Sequence, residues 1–456
     1  MMSGLAMQRV FVANRGEIAL RIIEACERLG IDTVLGVSTA DSSTLPARRA
    51  TQVVTLGGPR ATESYLHPET VVHAAVATGC TAVHPGYGFL SERADFARLC
   101  ESNGLIFIGP RPEHLEALGD KLSARRLAES VGVPVSPGGP TRTAEEALTL
   151  AREIGFPLLV KAAFGGGGRG MKLVEDVAGL AAAWALASSE AASSFGDGTV
   201  FIERFVRNAK HVEVQVLGDA HGNRIHLAER ECSLQFRYQK MLEEAPCVAL
   251  PEATRQRLHA YALRIADALD YVSLGTVEFL YDVERDTLCF LEVNPRVQVE
   301  HPVTEAITGV DLVREQLLVA FGEPLSLRQE DIRVDGHAIE LRLTAQDPAQ
   351  GLRPSPGRLT RWRPAPMGGV RWDTHLYEGY LFPPYYDALM AKVIAHGTDR
   401  AGALARLRSA LARLDLQGPT TNLPLLRALL DAPAITANQV TTRWLEDHLT
   451  DFVEVT

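Results

Sequence analysis

The chain has 456 residues, 46% of them hydrophobic, with a formal net charge of −10 and a pI near 5.8. That length exceeds one ordinary core and predicts two or three domains, while the acidic balance argues against general affinity for nucleic acid or an anionic membrane. The six cysteines (Cys26, Cys80, Cys100, Cys232, Cys247, Cys289) form no C-x-x-C pair, and no apolar run nears the ~18 residues of a membrane span, so neither a zinc site nor a disulfide framework is expected and the chain reads as cytoplasmic.

Val10-Phe11-Val12-Ala13 predicts a short buried strand, followed by a turn at Asn14-Arg15-Gly16 and a helix carrying Ile18, Ile22, Ala25 and Leu29 on one face. Gly30 sits where a helix C-cap belongs, and Thr33 to Val37 gives a second strand. The β-α-β unit implies a parallel sheet, yet the first turn lacks G-x-G-x-x-G, so no dinucleotide fingerprint is present. His84-Pro85-Gly86-Tyr87-Gly88-Phe89-Leu90-Ser91-Glu92 follows the Thr81-Ala82-Val83 strand. Loops at that end of a strand are where open α/β sheets bind ligands, although a plain loop is the simpler reading.

A boundary is expected near Gly119-Asp120-Lys121, with the proline- and glycine-rich Val133 to Pro140 stretch leading into a new unit. Phe156 to Lys161 and Met171 to Val174 read as strands flanking Gly165-Gly166-Gly167-Gly168-Arg169-Gly170. A glycine loop between two strands suits a phosphate lid, because its backbone N–H groups can crowd phosphate oxygens while Lys161 adds a charge. A flexible linker is the alternative, and the Walker and kinase patterns are absent. His211 to Val216 alternates with period two, and the Glu229 to Lys240 segment follows.

Thr276 to Tyr281 and Thr287 to Leu291 predict a hairpin centred on Arg285, which would set Glu278 opposite Glu292. Opposed carboxylates repel, so either a hard cation compensates them, with Asn294 projecting from the same face as Glu292, or the acids lie solvated on an exposed edge; the two readings stand even. Within Glu292-Val293-Asn294-Pro295-Arg296-Val297-Gln298-Val299-Glu300, five side chains in nine positions can bind a metal, an anion or a proton. Beyond Asp331 a separate β-rich unit is expected, starting at Gly336 to Leu343 and ending in helices such as Arg400 to Leu414.

Together these segments resemble the ATP-grasp enzymes and, within them, the biotin carboxylase family, represented by the subunit of bacterial acetyl-CoA carboxylase. The resemblance rests on ANRGEIALRI (Ala13 to Ile22), HPGYGFLSE (His84 to Glu92), GGGGRGM (Gly165 to Met171), QVEHPVTE (Gln298 to Glu305) and PPYYD (Pro383 to Asp387), and it spans nearly the whole chain. It implies a mixed α/β and α+β fold. An N-terminal Rossmann-like domain would occupy residues 1–120. An ATP-grasp domain would occupy 121–335, with a lid at about 135–206, and a C-terminal domain 336–456. A homodimer is likewise implied.

By the same resemblance Lys121, Lys161, Gly167, Gly168, His211 and Gln235 would contact ATP, with Glu203, Arg204, Phe205 and Val206 at the adenine-side hinge. Glu278 and Glu292 would border the nucleotide and, with Asn294, hold Mg²⁺ or Mn²⁺. Lys240, Arg296 and the Val299 backbone would bind bicarbonate, Glu300 would be the general base, and Arg342 would stabilise biotin's enolate. The family normally carries a charged residue at Phe236 and a histidine at Tyr238, the latter touching nucleotide; a tyrosine hydroxyl can substitute as hydrogen-bond partner. No A-M-K-M biotin acceptor is present, and Met390-Ala391-Lys392-Val393 reads as an ordinary stretch, so biotin is expected on a separate carboxyl carrier protein working with carboxyltransferase subunits. The alternatives are a component of a pyruvate, urea or similar carboxylase, another ATP-grasp ligase, or a catalytically silent assembly subunit.

Overall fold

Apolar β-branched residues between turn signals build the first layer of the computed structural model, which describes residues 7–162, 171–195 and 197–453. Strands β1 (Arg9–Val12), β2 (Asp32–Ser38), β3 (Gln52–Gly57), β4 (Ala82–His84) and β5 (Ile106–Phe107) form a parallel sheet in the order β3-β2-β1-β4-β5. The helix Gly16–Leu29 ends as expected at Gly30, whose φ of 70° is the left-handed C-cap conformation. Strand order reverses at β1, and the loops after β1 and β4 meet there, the Asn14 amide donating to Pro85 O (2.6 Å) and Tyr87 O (2.8 Å). Gly86 allows that approach: its φ is +62°, and a Cβ there would lie 2.8 Å from Asn14 Nδ2. The loop after β4, for which a plain loop is the simpler reading, lines a crevice together with the loop after β1.

A small sheet comes next, with β6 (Gly138–Thr141), β7 (Leu158–Ala162), β8 (Lys172–Val174) and β9 (Val200–Arg204) in the order β6-β9-β7-β8. Strands β7 and β8 pair antiparallel from Leu158↔Val174 to Val160↔Lys172, so strands flank the glycine loop as predicted. The loop itself, with Gly167 and Gly168, lies outside the described residues.

The largest sheet has eight strands. It runs β14 (Thr287–Asn294), β13 (Ser273–Asp282), β10 (Ala209–Gly218), β11 (Arg224–Phe236), β12 (Gln239–Ala245), β15 (His337–Thr344), then Leu389–Gly397 and Val370–Thr374. Alternation along β10 does not divide water from core, because every residue of it is buried. Val212, Val214 and Val216 pack with the helix Glu252–Ala268, while His211, Glu213 and Gln215 on the other face meet a buried network of charges.

The C-terminal segment is joined to what precedes it by strand pairing: β15 joins β12 from Leu242↔Leu341 to Ala245↔Ala338, so one sheet crosses the break in sequence character. Leu234, Phe236 and Leu242 share a core with Ile339, Leu341, Leu404 and Leu426, and burying them together is what holds the C-terminal segment against the sheet. Among the described residues, no helix is long and apolar enough to cross a membrane.

Candidate active site

Period-two geometry sends alternate side chains of the large sheet toward one cleft, of about 1720 Å³, which opens between that sheet, the small sheet and the β1 and β4 loops. Glu278 pairs with Glu292 as predicted, but by a different route: the pairs from Asp282↔Thr287 to Phe279↔Phe290 centre the turn between Glu284 and Arg285, and a bulge between Glu278 and Phe279 shifts the register to bring the two acids together. Asn294, two residues past Glu292, shares its face. The chain's own cations take up the opposed charges in the structure, because Lys121 Nζ lies 2.9 Å from Glu292 and Lys240 Nζ 3.0 Å from Glu278. Two carboxylates and an amide oxygen on a common face fit a hard divalent cation, which would replace part of that lysine countercharge.

Lys240 is the hub. Its ammonium also donates to Glu213 (2.6 Å) and Glu300 (2.6 Å), and although burial opposes its charge, these carboxylates hold its pKa well above the usual lysine range. Arg230 bonds Glu213 at 2.6 Å from the interior. His211 Nε2 sits 3.4 Å from Glu213 and 3.3 Å from Glu278; burial acts against the imidazolium, but Glu278 outweighs it and the pKa rises to about 9. Burial likewise pushes Glu278 up, and Lys240 and His211 reverse this to leave it at about 2.

Glu300 lies where the loop after β14 meets the helix His301–Thr308. Arg342 Nη2 donates to it (2.9 Å) and Arg342 Nε donates to Glu243 (2.5 Å). Burial disfavours the Glu300 carboxylate, yet Lys240 and Arg342 keep its pKa lowered, so the carboxylate is anionic but clamped. Arg296 is held as a fixed fork by Glu92 (2.7 Å), Gln298 (2.9 Å) and Asn294 (3.0 Å). The Val299 carbonyl accepts from Lys392 Nζ (3.0 Å).

Of the expected nucleotide contacts, Lys161 pairs with Glu203 (2.7 Å), and Phe205 and Val206 line the cleft. Arg204 also lines the cleft but turns its guanidinium onto Ile154 O (Nε at 3.2 Å). Gln235 donates to Cys232 O (2.7 Å). Tyr238, 54% exposed, sits with Arg237 at the tip of the β11–β12 hairpin, both at positive φ, while Phe236 is only 8% exposed and packs into the core.

Glu213, Arg230, Glu243 and Lys392 take part without having been singled out. Lys392 carried a signal, a lysine inside the apolar run Met390 to Ile394, which demands buried partners; it finds Glu17 (3.0 Å) and Val299 O and is no ordinary strand residue.

Comparison with known proteins gives three matching family descriptions. These are "Biotin carboxylase, N-terminal domain" over residues 6–115, "Carbamoyl-phosphate synthase L chain, ATP binding domain" over 120–328, and "Biotin carboxylase C-terminal domain" over 340–447. The biotin carboxylase of Pseudomonas aeruginosa is 48% identical over 446 residues, covering 97% of this chain and 99% of the relative. The propionyl-CoA carboxylase alpha chain of Ruegeria pomeroyi is 44% identical, covering 96% of this chain and 68% of that one. The biotin carboxylase domain dimer of Hydrogenobacter thermophilus 2-oxoglutarate carboxylase, crystallised with MgADP, ADP and bicarbonate, superposes with a TM-score of 0.93 at 42% identity, covering 98% of each chain.

Proposed function

The chain belongs to the biotin carboxylase family, and from that membership we propose that it carboxylates biotin presented by a separate carrier protein, consuming ATP and bicarbonate. The observation that carries this reading is the continuous chain of charge from Glu278 through Lys240 and Glu300 to Arg342, with Arg296 beside it. It joins an ATP side to an acid–base side inside one cleft.

Bicarbonate is a poor electrophile and needs activation; its oxygen attacks the γ-phosphate of ATP to give carboxyphosphate and ADP. Lys121, Lys161, His211 and Gln235 hold the nucleotide, Tyr238 borders it, and a divalent metal at Glu278, Glu292 and Asn294 would neutralise phosphate charge. Arg296 and the Val299 backbone orient bicarbonate beside Lys240. An anion arriving at Lys240 draws that ammonium away from Glu300, whose carboxylate is then freer to accept the bicarbonate proton. Carboxyphosphate breaks down to CO₂ and phosphate next to biotin's ureido nitrogen; the phosphate takes the ureido proton, Arg342 stabilises the negative charge that develops on the ring, and the nitrogen bonds to CO₂ to give carboxybiotin.

We further place the chain in a cytoplasmic acetyl-CoA carboxylase, as a homodimer working with a biotin carboxyl carrier protein and carboxyltransferase subunits. The free thiols of Cys26, Cys80, Cys100, Cys232, Cys247 and Cys289 suit a reducing compartment. Bicarbonate-dependent ADP release stimulated by free biotin tests the reaction. Stimulation by a different acid would indicate another ATP-grasp ligase, and a folded chain without turnover an assembly subunit. Co-purification with a biotinylated carrier and a transferase acting on a different acyl or keto acid would move it to another carboxylase.

A further inference from the structure

Behind Arg342 lies a pair of acids that the reaction above does not use. Glu243 on β12 and Glu340 on β15 are direct register partners, which puts both side chains on one face of the sheet, and both are 0% exposed. Glu243 Oε1 accepts from Arg342, but among the described residues Glu243 Oε2 and both oxygens of Glu340 have no donor. Three orphaned carboxylate oxygens on fully buried side chains are costly if both groups are ionised.

Among the described residues the surrounding elements supply no hydrogen bond to these oxygens, although on β11 the Cys232 thiol lies near Glu243 and is held protonated by burial. On β15, Arg342 lies two residues beyond Glu340 and is committed to Glu243 and Glu300. On the neighbouring strand Lys392, register partner of Arg342, is bound to Glu17 and the Val299 carbonyl, with Asp373 3.7 Å away. Lys240 is taken by Glu213, Glu278 and Glu300. On the helix His301–Thr308, His301 is kept neutral by burial and by nearby Lys392. Glu300 adds a further negative charge. A proton satisfies two opposed buried acids directly, the acid of one donating to the free oxygen of the other.

We propose that Glu243 and Glu340 share one proton and act through Arg342 as positioning residues, setting how much of its positive charge reaches the cleft. Burial pushes both carboxyls upward, Glu340 well above the usual range, ahead of the opposing pull of Lys392 and Arg342. While the proton is held, Arg342 faces a single charge from the pair. When alkali removes it to solvent, the second charge draws the guanidinium's field away from the place where biotin's ring becomes anionic. The role at Arg342 rests on the proposed reaction; the shared proton does not.

Two readouts on the full chain test this. In infrared difference spectra at neutral pH, wild type minus Glu340→Gln should contain the carbonyl band of a protonated carboxyl. Biotin-stimulated kcat of the wild type should fall about tenfold on the alkaline side with KM for ATP unmoved, and Glu340→Gln should flatten that limb. Glu243→Gln should flatten it too, and stands in if the first variant does not fold. Absence of the band overturns the shared proton, and an alkaline limb unchanged in the glutamine variants overturns the positioning role. A wild type without any biotin-stimulated turnover overturns the reaction and the positioning role together, whereas the band still decides the shared proton.

Discussion

Replacing Lys240 with methionine keeps the aliphatic stem and removes an ammonium that touches Glu213, Glu278 and Glu300 at once. All four side chains are at most 12% exposed, so solvent cannot stand in for the lost charge. Breaking a buried ion pair costs about 3–5 kcal/mol. Each carboxylate keeps a second partner, Arg230 for Glu213 (2.6 Å), His211 for Glu278 (3.3 Å) and Arg342 for Glu300 (2.9 Å), which puts the expected loss near the lower end, about 3 kcal/mol. The sign of its pH dependence follows from the lowered carboxyl pKa values: their stabilisation is present above the ordinary value of 4.5 and disappears as pH falls toward the folded value, about 2 for Glu278. The variant's carboxyls titrate higher, so its deficit should shrink as pH drops below neutrality. Denaturant unfolding at neutral pH and again near pH 4.5 measures both, and bicarbonate-dependent ATP cleavage should drop by about 10²–10³. A variant as stable as wild type at neutral pH, or equally destabilised at both pH values, refutes the charge reasoning.

Glu292→Gln should change stability by less than about 1 kcal/mol, because its pair with Lys121 is more than a third exposed on both sides, yet should cripple ATP turnover; an unaltered Mg²⁺ titration would remove Glu292 from the metal site. Tyr238→His should shift KM for ATP by about tenfold or less, the scale of one hydrogen bond, since histidine tolerates the positive φ there. Phe236→Arg should cost about 2 kcal/mol or more by forcing a charge into the C-terminal core, and a double variant that is both stable and much faster would show the pocket to be re-tuned. Glu244 is pushed up by burial but brought to about 2 by His337 (2.8 Å) and Arg400 (2.6 Å). Glu244→Gln should therefore lose about 3 kcal/mol at neutral pH, a deficit that closes as pH falls from 4.5 toward 2; a deficit independent of pH would contradict this.

What the amino-acid sequence determined by itself was local. The polar turn between two apolar runs set a hairpin, and Gly30 had to close the first helix because a left-handed C-cap suits glycine; the turn register alone would set Glu278 opposite Leu291, and the bulge between Glu278 and Phe279 is what brings it to Glu292. The strands either side of the glycine loop followed in the same way from short-range patterns. Tertiary structure decided what covers each face and which charges meet. Period two along β10 separates His211 and Glu213 from Val212 and Val214, but it cannot say that both faces are buried, since burial comes from a helix on one side and charged strands on the other. Nor could it show that β15 would extend the sheet and bring Arg342 to Glu300 across 42 positions and to Glu243 across 99. Opposed acids in one hairpin announce only that their charge is taken up either by a cation or by solvent. That Lys121 and Lys240 take it up, and that Lys392 steadies the Val299 carbonyl, depends on residues far apart in the chain, because buried charges are satisfied wherever folding delivers a partner.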